Sequence, residues 1–317
     1  MKVALVAGAS GFIGSNLSRL LLDKDYQVIG VDDHSTSDGT NLKQLNETSQ
    51  FSFVNASVTS NYEEFAPKPV DVIFHLASPA SPPKYQALGL ETIHANTLGT
   101  ENLISLALRD SARLVFASTS EIYGDPLVSP QPEDYWGNVN PIGPRSVYDE
   151  SKRMGETLIS HFSTRDKLDG AIVRIFNTYG PGMDPHDGRV VSTFIRQALA
   201  GEPFTVYGDG SQTRSFCYVD DLIDGLLRMA ESKESGPINL GNPIEHDLIS
   251  LGNLIAEVVG VEPRFEFKSL PQDDPRQRKP DISRANQLLN WNPTVRLEEG
   301  IAKTAEWIKM KVSRIEK

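Results

Sequence analysis

The stretch that decides the fold is GASGFIG, residues 8–14, which directly follows an apolar run. Glycine has no Cβ, so the chain can turn tightly there and its backbone can approach a diphosphate at the N-terminus of the next helix. A second apolar run, residues 28–31, ends at Asp32, whose carboxylate suits the ribose hydroxyls of adenosine and repels a 2′-phosphate. No lysine or arginine follows Asp32 within five residues. The pattern predicts a dinucleotide-binding β–α unit that uses NAD rather than NADP.

Short apolar runs alternate with helical stretches over the first 180 residues. This order is typical of an α/β fold of the Rossmann type, in which helices cover both faces of a doubly wound parallel sheet. The strands that the sequence predicts are Lys2–Ala7, Gln27–Val31, Phe51–Val54, Val70–Leu76, Arg113–Ser118 and Ala171–Phe176. The helices predicted between them are Ser15–Leu22, Leu90–Leu108 and Tyr148–His161.

After about residue 180 the chain becomes richer in loops, which indicates a smaller C-terminal lobe of mixed α/β structure. We therefore expect an NAD-binding domain at residues 1–180 and a substrate lobe at residues 181–317, with the chain free to cross between them. Residues 272–280 are predicted to form a polar loop. The helices predicted in this lobe are Val190–Ala200, Val219–Ala230, Leu251–Val259 and Leu297–Met310.

Composition and charge narrow the function classes. A net charge of −11 argues against binding to nucleic-acid phosphates, which requires clustered positive charge. The one cysteine, Cys217, excludes an internal disulfide and a cysteine-rich zinc site, and we expect no bound metal. The apolar run near the N-terminus is too short to span a bilayer. We therefore expect a cytoplasmic protein with no membrane or nucleic-acid partner.

A tyrosine and a lysine, Tyr148 and Lys152, stand four residues apart in a predicted helix, which puts both side chains on one face. A nearby ammonium favours the phenolate, so we expect Lys152 to lower the pKa of Tyr148 and let it take a proton from a substrate hydroxyl. Alone, a pair at this spacing is typical of an ordinary helix surface. The catalytic interpretation of this pair is strengthened by Thr119, which follows a predicted strand. Each of the four features (glycine turn, threonine, tyrosine and lysine) then lies on the type of element expected for it.

This order of motifs resembles the extended short-chain dehydrogenase/reductase superfamily. The glycine spacing, the segment HLAS at residues 75–78 and Asn96 within NTLGT match that resemblance. The stretch TSEIYG, residues 119–124, resembles the UDP-glucuronate decarboxylases (UDP-xylose synthases), in which a serine and a glutamate lie beside the sugar. The segments that resemble the same family cover nearly the whole chain and are residues 78–82, 135–145, 174–181, 187–191, 206–214 and 273–281.

The resemblance implies a set of site residues. The catalytic residues that it implies are Thr119, Glu121, Tyr148, Lys152 and Arg214. The implied contacts to NAD are Gly8, Gly11, Phe12, Ile13, Gly14, Asp32, Ser57, Val58, Leu76, Ala77, Tyr148 and Lys152. The implied contacts to a UDP-sugar are Pro79, His94, Tyr148, Asn177, Arg189, Tyr207, Gln212, Arg214 and Arg278. The forked donors of arginine suit phosphate and carboxylate oxygens, although a surface salt bridge is as common for any single arginine.

The reaction that the resemblance implies is the NAD-dependent conversion of UDP-glucuronate to UDP-xylose by a homodimer. Tyr148, with Lys152 and Thr119, would take the proton of the sugar's 4-hydroxyl while C4 gives hydride to NAD⁺. The resulting 4-ketone lies β to the C5 carboxylate, so loss of CO₂ leaves a resonance-stabilised enolate. Glu121 and Arg214 would position the carboxylate and support reprotonation at C5. Return of the hydride to C4 would leave NAD bound.

The sequence leaves other functions open. The nearest is a UDP-glucuronate 4-epimerase, and early release would instead give the 4-keto-pentose. A sugar-nucleotide 4,6-dehydratase fits less well, because Ser120 stands where those enzymes have an aspartate that acts as an acid. A non-catalytic NAD-sensing regulator is the alternative from another class, and the retained Thr119, Tyr148 and Lys152 argue against it.

Three positions depart from the decarboxylase pattern. His94 stands where the family has a lysine that can reach the substrate, and Gly182 stands where it has an arginine. Ser57 replaces an aspartate that contacts the adenine amino group. We expect the first two changes to bear on the choice of substrate and product, and the third to bear on NAD affinity.

Overall fold

The computed structural model describes residues 1–269 and 277–315 of the chain. In chain order its strands are β1 (Val3–Ala7), β2 (Gln27–Asp32), β3 (Phe51–Asn55), β4 (Val72–His75), β5 (Arg113–Thr119), β6 (Gly170–Ile175), β7 (Thr178–Tyr179), β8 (Phe204–Tyr207), β9 (Thr213–Ser215), β10 (Cys217–Tyr218), β11 (Ile238–Leu240), β12 (Glu245–Asp247), β13 (Phe265–Lys268) and β14 (Gln277–Arg278). Its α-helices are α1 (Phe12–Asp23), α2 (Tyr62–Phe65), α3 (Pro82–Ala87), α4 (Gly89–Asn96), α5 (Leu98–Asp110), α6 (Ser146–Arg165), α7 (Val190–Ala200), α8 (Val219–Glu231), α9 (Leu248–Val259), α10 (Ser283–Leu289) and α11 (Leu297–Ile315).

Within the described residues, seven strands form one parallel sheet in the order β11-β6-β5-β4-β1-β2-β3. All six strands predicted in the first 180 residues lie in this sheet, and their bounds agree with the prediction to within two residues. The order reverses beside β1, as in a doubly wound sheet. The predicted Rossmann-type α/β fold is confirmed.

The sheet is buried on both faces, because the side chains of each central strand alternate between two apolar cores. In β1, Val6 packs on the face that α1 and α8 cover, whereas Leu5 packs on the face that α5 and α6 cover. Burial on both sides explains why these strands are apolar at consecutive positions in the sequence.

The predicted helix Leu90–Leu108 is wrong in one respect, because the structure divides it into α4 and α5 at Thr97. The Thr97 hydroxyl donates a hydrogen bond to the Ile93 carbonyl at 2.7 Å, a contact that commonly bends a helix. The other predicted helices are present with shifted ends, for example α1, which starts at Phe12 rather than Ser15. In the described part of the chain, none of the helices has the length and apolar character that crossing a bilayer would need.

The second half of the chain both extends the large sheet and builds a smaller region beside it. Strand β11 pairs with β6 at the edge of the seven-stranded sheet. Strands β12, β9 and β14 form a separate three-stranded sheet. The predicted polar loop 272–280 is therefore wrong at Gln277 and Arg278, which form β14, because their backbone pairs with β9. Residues 272–276 of that prediction lie outside the described residues.

Candidate active site

A cleft of about 710 Å³ opens at the carboxyl ends of the parallel strands, where ligands bind in doubly wound sheets. Its lining comes from the turn after β1, the segment after β4, the end of β5, the start of α6 and the loop after β6. Side chains from the second half of the chain, including Arg189, Arg214 and Arg278, line the same cleft. The two halves of the chain therefore share one site.

The glycine turn at one end of the cleft has no room for side chains. A Cβ on Gly14 would lie 2.0 Å from the Gly8 carbonyl oxygen, and Gly8 has a φ of +86° that favours glycine. Helix α1 starts immediately after this turn, and its N-cap residue Gly11 makes no side-chain cap. The predicted cofactor residues of this turn, Phe12 and Ile13 included, all line the cleft.

Asp32 lies at the end of β2 against the same turn. Its carboxylate accepts hydrogen bonds from the backbone N–H groups of Ser10 at 3.0 Å and His34 at 2.8 Å. Burial raises the pKa of Asp32 above its usual value, while these two hydrogen bonds act in the opposite direction. The backbone thus fixes the orientation of the carboxylate beside the glycine turn.

The remaining predicted NAD contacts divide into two groups. Leu76 lines the cleft, whereas Ala77, Ser57 and Val58 are not among the lining residues. Val58 is buried against the α4–α5 connection, and the Ser57 hydroxyl lies 2.9 Å from that of Thr59. The contacts of Ser57, Val58 and Ala77 with NAD stay predictions.

Tyr148, Lys152 and Thr119 meet in the middle of the cleft. Helix α6 presents Tyr148 and Lys152 on one face, and the Lys152 ammonium lies 5.9 Å from the centre of the Tyr148 ring. Lys152 donates a hydrogen bond to the Ala117 carbonyl of β5 at 2.8 Å. Two residues further along β5, the Thr119 side chain lies close enough to Tyr148 to lower the pKa of its phenol. The sequence prediction that these three groups converge agrees with their positions.

The predicted effect of Lys152 on Tyr148 is not what the structure gives. Burial raises the pKa of Tyr148 to about 12, while hydrogen bonding with Thr119 and the charge of Arg189 oppose the rise. Lys152 is buried as well, and desolvation lowers its own pKa to about 7. The prediction overlooked this burial, which disfavours both the phenolate and the ammonium.

Glu121 lies beside this group, held between two arginines. Arg145 donates to its Oε2 at 2.8 Å, and Arg278 donates to both carboxylate oxygens. Burial raises the pKa of Glu121, but the charges of Arg278 and Arg145 outweigh it and hold that pKa well below its usual range. Glu121 is therefore ionised at neutral pH.

The predicted UDP-sugar contacts mostly line the cleft. Strand pairing sets Arg214 of β9 directly opposite Arg278 of β14. The Arg189 guanidinium donates to the Ala80 carbonyl at 2.9 Å and lies 3.4 Å from Asp187. The other predicted contacts in the lining are Tyr148, Asn177, Tyr207 and Gln212.

Two predicted substrate contacts, Pro79 and His94, do not line the cleft. Pro79 is buried, and its carbonyl accepts a hydrogen bond from the Ser78 hydroxyl at 3.0 Å. His94 lies half-buried in the last turn of α4. Pro79 nevertheless stands between Ser78 and Ala80, which both line the cleft, and the contacts of Pro79 and His94 with the substrate stay predictions.

Sequence reasoning missed three residues of the site. Arg145 binds Glu121. Its position three residues before Tyr148, where α6 begins, could have indicated that its side chain lies near the site. Tyr85 stacks on Tyr148 with ring centres 5.1 Å apart, but it comes from a distant helix and had no local signal. Asp149 is buried with one carboxylate oxygen lacking a hydrogen-bond partner among the described residues. Burial and the charge of Glu121 raise the pKa of Asp149.

Comparison with known proteins shows the family of the chain. Residues 4–241 match the model of the NAD dependent epimerase/dehydratase family. The chain belongs to this family. Within the family it is similar to UDP-glucuronic acid decarboxylase 1 of Xenopus tropicalis, at 48% identity over 97% of this chain and 72% of the relative. It is also similar to UDP-glucuronic acid decarboxylase 3 of Arabidopsis thaliana, at 47% identity over 98% of this chain and 90% of the relative.

Solved structures of the epimerase/dehydratase family share the whole fold. UDP-glucuronic acid 4-epimerase from Bacillus cereus, solved with UDP-glucuronic acid and NAD, superposes with a TM-score of 0.86 at 30% identity, covering 98% of this chain and 99% of that one. UDP-glucose 4-epimerase from Thermotoga maritima, solved with UDP-glucose, gives a TM-score of 0.90 at 28% identity, with the same coverage of both chains. The identity to the decarboxylases is therefore well above the identity to these epimerases.

The family's cofactor, NAD, fits the residues of this chain. The glycine turn is packed so tightly that a Cβ on Gly14 would strike the Gly8 carbonyl, so no side chain screens the backbone there, and the start of α1 supplies N–H groups that no N-cap side chain occupies. Asp32 is fixed next to that turn for the ribose hydroxyls. Gly8, Gly11, Gly14 and Asp32 would hold the adenosine and diphosphate, and Tyr148 and Lys152 would flank the nicotinamide.

Proposed function

We propose that this enzyme converts UDP-glucuronate to UDP-xylose with NAD, by oxidation at C4, loss of CO₂ and reduction at C4. The observation that carries the proposal is the ionised Glu121, held by Arg145 and Arg278 in the same cleft as Tyr148. An oxidation at C4 needs only the tyrosine, lysine and threonine. The additional charged cluster supplies what a carboxylate-bearing substrate requires. The relatives named UDP-glucuronic acid decarboxylase support the same reaction.

Tyr148 is the residue that takes the proton of the 4-hydroxyl. NAD, when bound, would supply the hydride acceptor for C4 and a positive charge that favours the phenolate. Thr119 lies beside the phenol and lowers its pKa, and Lys152, one turn along α6, lies 5.9 Å from the ring centre while it donates to the Ala117 carbonyl of β5. Tyr85 stacks on the Tyr148 ring, with the two rings nearly parallel. Because burial opposes the phenolate, these groups must favour it in the complex for the proton to move.

Glu121 acts by its charge and its position. Its pKa is held low by the two arginines, so it cannot be a proton donor at neutral pH. We assign the C5 carboxylate of the substrate to Arg214 and Arg278, which are neighbours across β9 and β14. Glu121 shares Arg278 with that carboxylate, so repulsion between the two carboxylates favours loss of CO₂. A proton from solvent then adds to C5 of the enolate and regenerates the 4-ketone, which the reduction at C4 consumes.

The UDP half of the substrate is assigned to the second half of the chain, in line with a nucleotide-sugar-binding lobe at residues 181–317. Asn177, Arg189, Tyr207 and Gln212 line the same cleft as Glu121. The Gln212 amide donates to the Tyr207 carbonyl at 2.8 Å, which fixes that corner of the cleft. Arg189 offers a charge for the diphosphate.

We also assign a homodimer built on α4, α5 and α6 and a cytoplasmic location. Large apolar side chains on these helices face solvent, among them Leu90, Leu98 and Met154, which are 61%, 47% and 49% exposed. Such a cluster on adjacent helices suits a helix–helix interface with a second copy. The location follows from the single cysteine alone, and cell fractionation tests it.

The proposed function is tested by the mass of the product. The enzyme is incubated with UDP-glucuronate, and the CO₂ released and the nucleotide sugars are followed together. We expect a UDP-pentose that is lighter than a UDP-hexuronate by one CO₂ and has a reduced C4. A product that keeps all its carbon atoms would remove the decarboxylase assignment and favour a 4-epimerase. A UDP-4-keto-pentose would keep the decarboxylation and replace only the last step.

A further inference from the structure

The C-terminal helix α11 reaches the cofactor end of the cleft. The Trp307 indole of this helix donates a hydrogen bond to the Met183 carbonyl at 3.1 Å. Lys311 lies one helical turn further along the same face, and its side chain lines the cleft. It is only 13% exposed and lies 3.3 Å from the Asp38 carboxylate.

The segment that Lys311 contacts is packed against the glycine turn. The Ser37 hydroxyl donates to that of Ser10 at 2.6 Å, and the Asn41 amide donates to the Ser10 carbonyl at 3.3 Å. The same Asn41 amide donates to the Gly182 carbonyl at 3.0 Å. Lys311 is therefore a cation in the same cleft as the glycine turn, paired with a segment that packs on that turn.

The turn at Gly182 packs tightly against the start of α1. A Cβ on Gly182 would lie 3.0 Å from the Asn16 amide of α1 and 3.4 Å from the Phe12 ring, so Gly182 packs directly on the start of that helix. Gly182 itself provides no charge there. Lys311 of α11 provides one in the same cleft.

We propose that Lys311 is a ligand of the NAD diphosphate. The start of α1 binds the diphosphate through backbone N–H groups, and the Lys311 ammonium neutralises part of its charge from the solvent side. Asp38 holds Lys311 in place rather than carrying the effect itself. The C-terminal helix thus contributes to retention of the cofactor. This inference rests on NAD being the cofactor in the proposed function.

The test compares ligands that differ in their phosphates. Dissociation constants of NAD, ADP and adenosine are measured by calorimetry on protein freed of nucleotide, for the wild type and for Lys311→Met, Asp38→Asn and Lys309→Met. Lys309 is an exposed lysine of the same helix and is the matched control. We expect Lys311→Met to weaken NAD and ADP about tenfold and to leave adenosine within about twofold. Asp38→Asn should cost less than about threefold, because the ammonium remains.

The outcomes separate the possible failures. If Lys311→Met binds NAD and ADP as well as Lys309→Met does, Lys311 is not a diphosphate ligand. If Lys311→Met and Asp38→Asn weaken adenosine and ADP equally, the ion pair only ties α11 to the loop, and the proposal is overturned. If the wild type binds no NAD, the proposed function itself fails. Melting temperatures of all variants, measured without nucleotide, show whether each one is folded.

Discussion

Glu121 binds two guanidinium groups from distant parts of the sequence. One is Arg145 at the start of α6, and the other is Arg278 in β14. A carboxylate paired in this way remains ionised at neutral pH, so the catalytic part that we propose for it is to exert charge on the substrate. The stretch TSEIYG predicted that Glu121 belongs to the site. It could not predict the pairing, because Arg278 is 157 residues away and arrives only through the pairing of β14 with β9.

Replacing Glu121 with glutamine tests that role. Glu121→Gln keeps the size and removes the charge, so we expect oxidation at C4 to fall less than about tenfold and release of CO₂ to fall about a hundredfold or more. Stopped-flow absorbance of NADH reports oxidation, and quenched samples report the nucleotide sugars. Glu150→Gln, which alters an exposed pair with Arg153, is the control. Unchanged decarboxylation in Glu121→Gln would make Glu121 a structural residue.

Asp149 is a buried carboxyl whose pKa is raised, which gives a prediction about stability. The folded protein keeps a proton on Asp149 at pH values above about 4, where the unfolded chain has released it, so stability falls as pH rises. Asp149→Asn removes the carboxyl group that takes up this proton, so the variant lacks this pH dependence. We expect the free energy of unfolding of the wild type, measured in urea, to fall by about 1 kcal/mol or more relative to that of Asp149→Asn between about pH 5.5 and about pH 8. Asp23→Asn, at an exposed position, controls for net charge. Parallel pH profiles for wild type and Asp149→Asn would contradict the burial effect.

At the scale of elements, the β1–α1 turn was readable from the sequence because everything that defines it is local. The glycines, the apolar strand before them and Asp32 after the next strand all lie within the first 32 residues. The pKa of Tyr148 was not readable, because burial by β5, α3 and α6 decides it. The spacing in the sequence places Lys152 near Tyr148, but it does not indicate how deeply either side chain is buried.

The glycine turn predicts the effect of one added methyl group. Gly14→Ala places a Cβ against the Gly8 carbonyl, where the rigid backbone has to move. We expect a loss of about 2–3 kcal/mol in stability and a much weaker affinity for NAD. Gly89→Ala at the start of α4, where the nearest atom is a Val147 methyl at 3.6 Å, should change stability by less than about 0.5 kcal/mol. Denaturant unfolding and NAD titration check both, and equal behaviour of the two variants would contradict the steric argument.

At the scale of the whole molecule, α4, α5 and α6 leave an apolar surface that sequence periodicity alone did not reveal. The break at Thr97 changes which side chains of α4 and α5 face outward. Buried strands, by contrast, were predicted closely, since their composition follows directly from being covered on both faces. Oligomer formation depends on the shape of the folded surface, and the pattern of apolar residues in one sequence carries little information about that shape.

The homodimer assignment predicts a change in mass in solution. The double substitution Leu90→Glu and Leu98→Glu puts two charges on the proposed interface, so we expect a monomer in light scattering where the wild type is a dimer. Leu288→Glu, an exposed leucine on α10, is the control and should leave the mass unchanged. A double variant that keeps the wild-type mass would place the interface elsewhere or exclude it.

The central claim, that the cleft oxidises, decarboxylates and reduces one bound sugar, is tested most directly by following the reaction in D₂O by NMR. With UDP-glucuronate and no added NAD, we predict UDP-xylose with one deuterium at C5, release of CO₂ and no lasting NADH. Recovery of a UDP-sugar that keeps its carboxylate and has no deuterium at C5 would contradict the account.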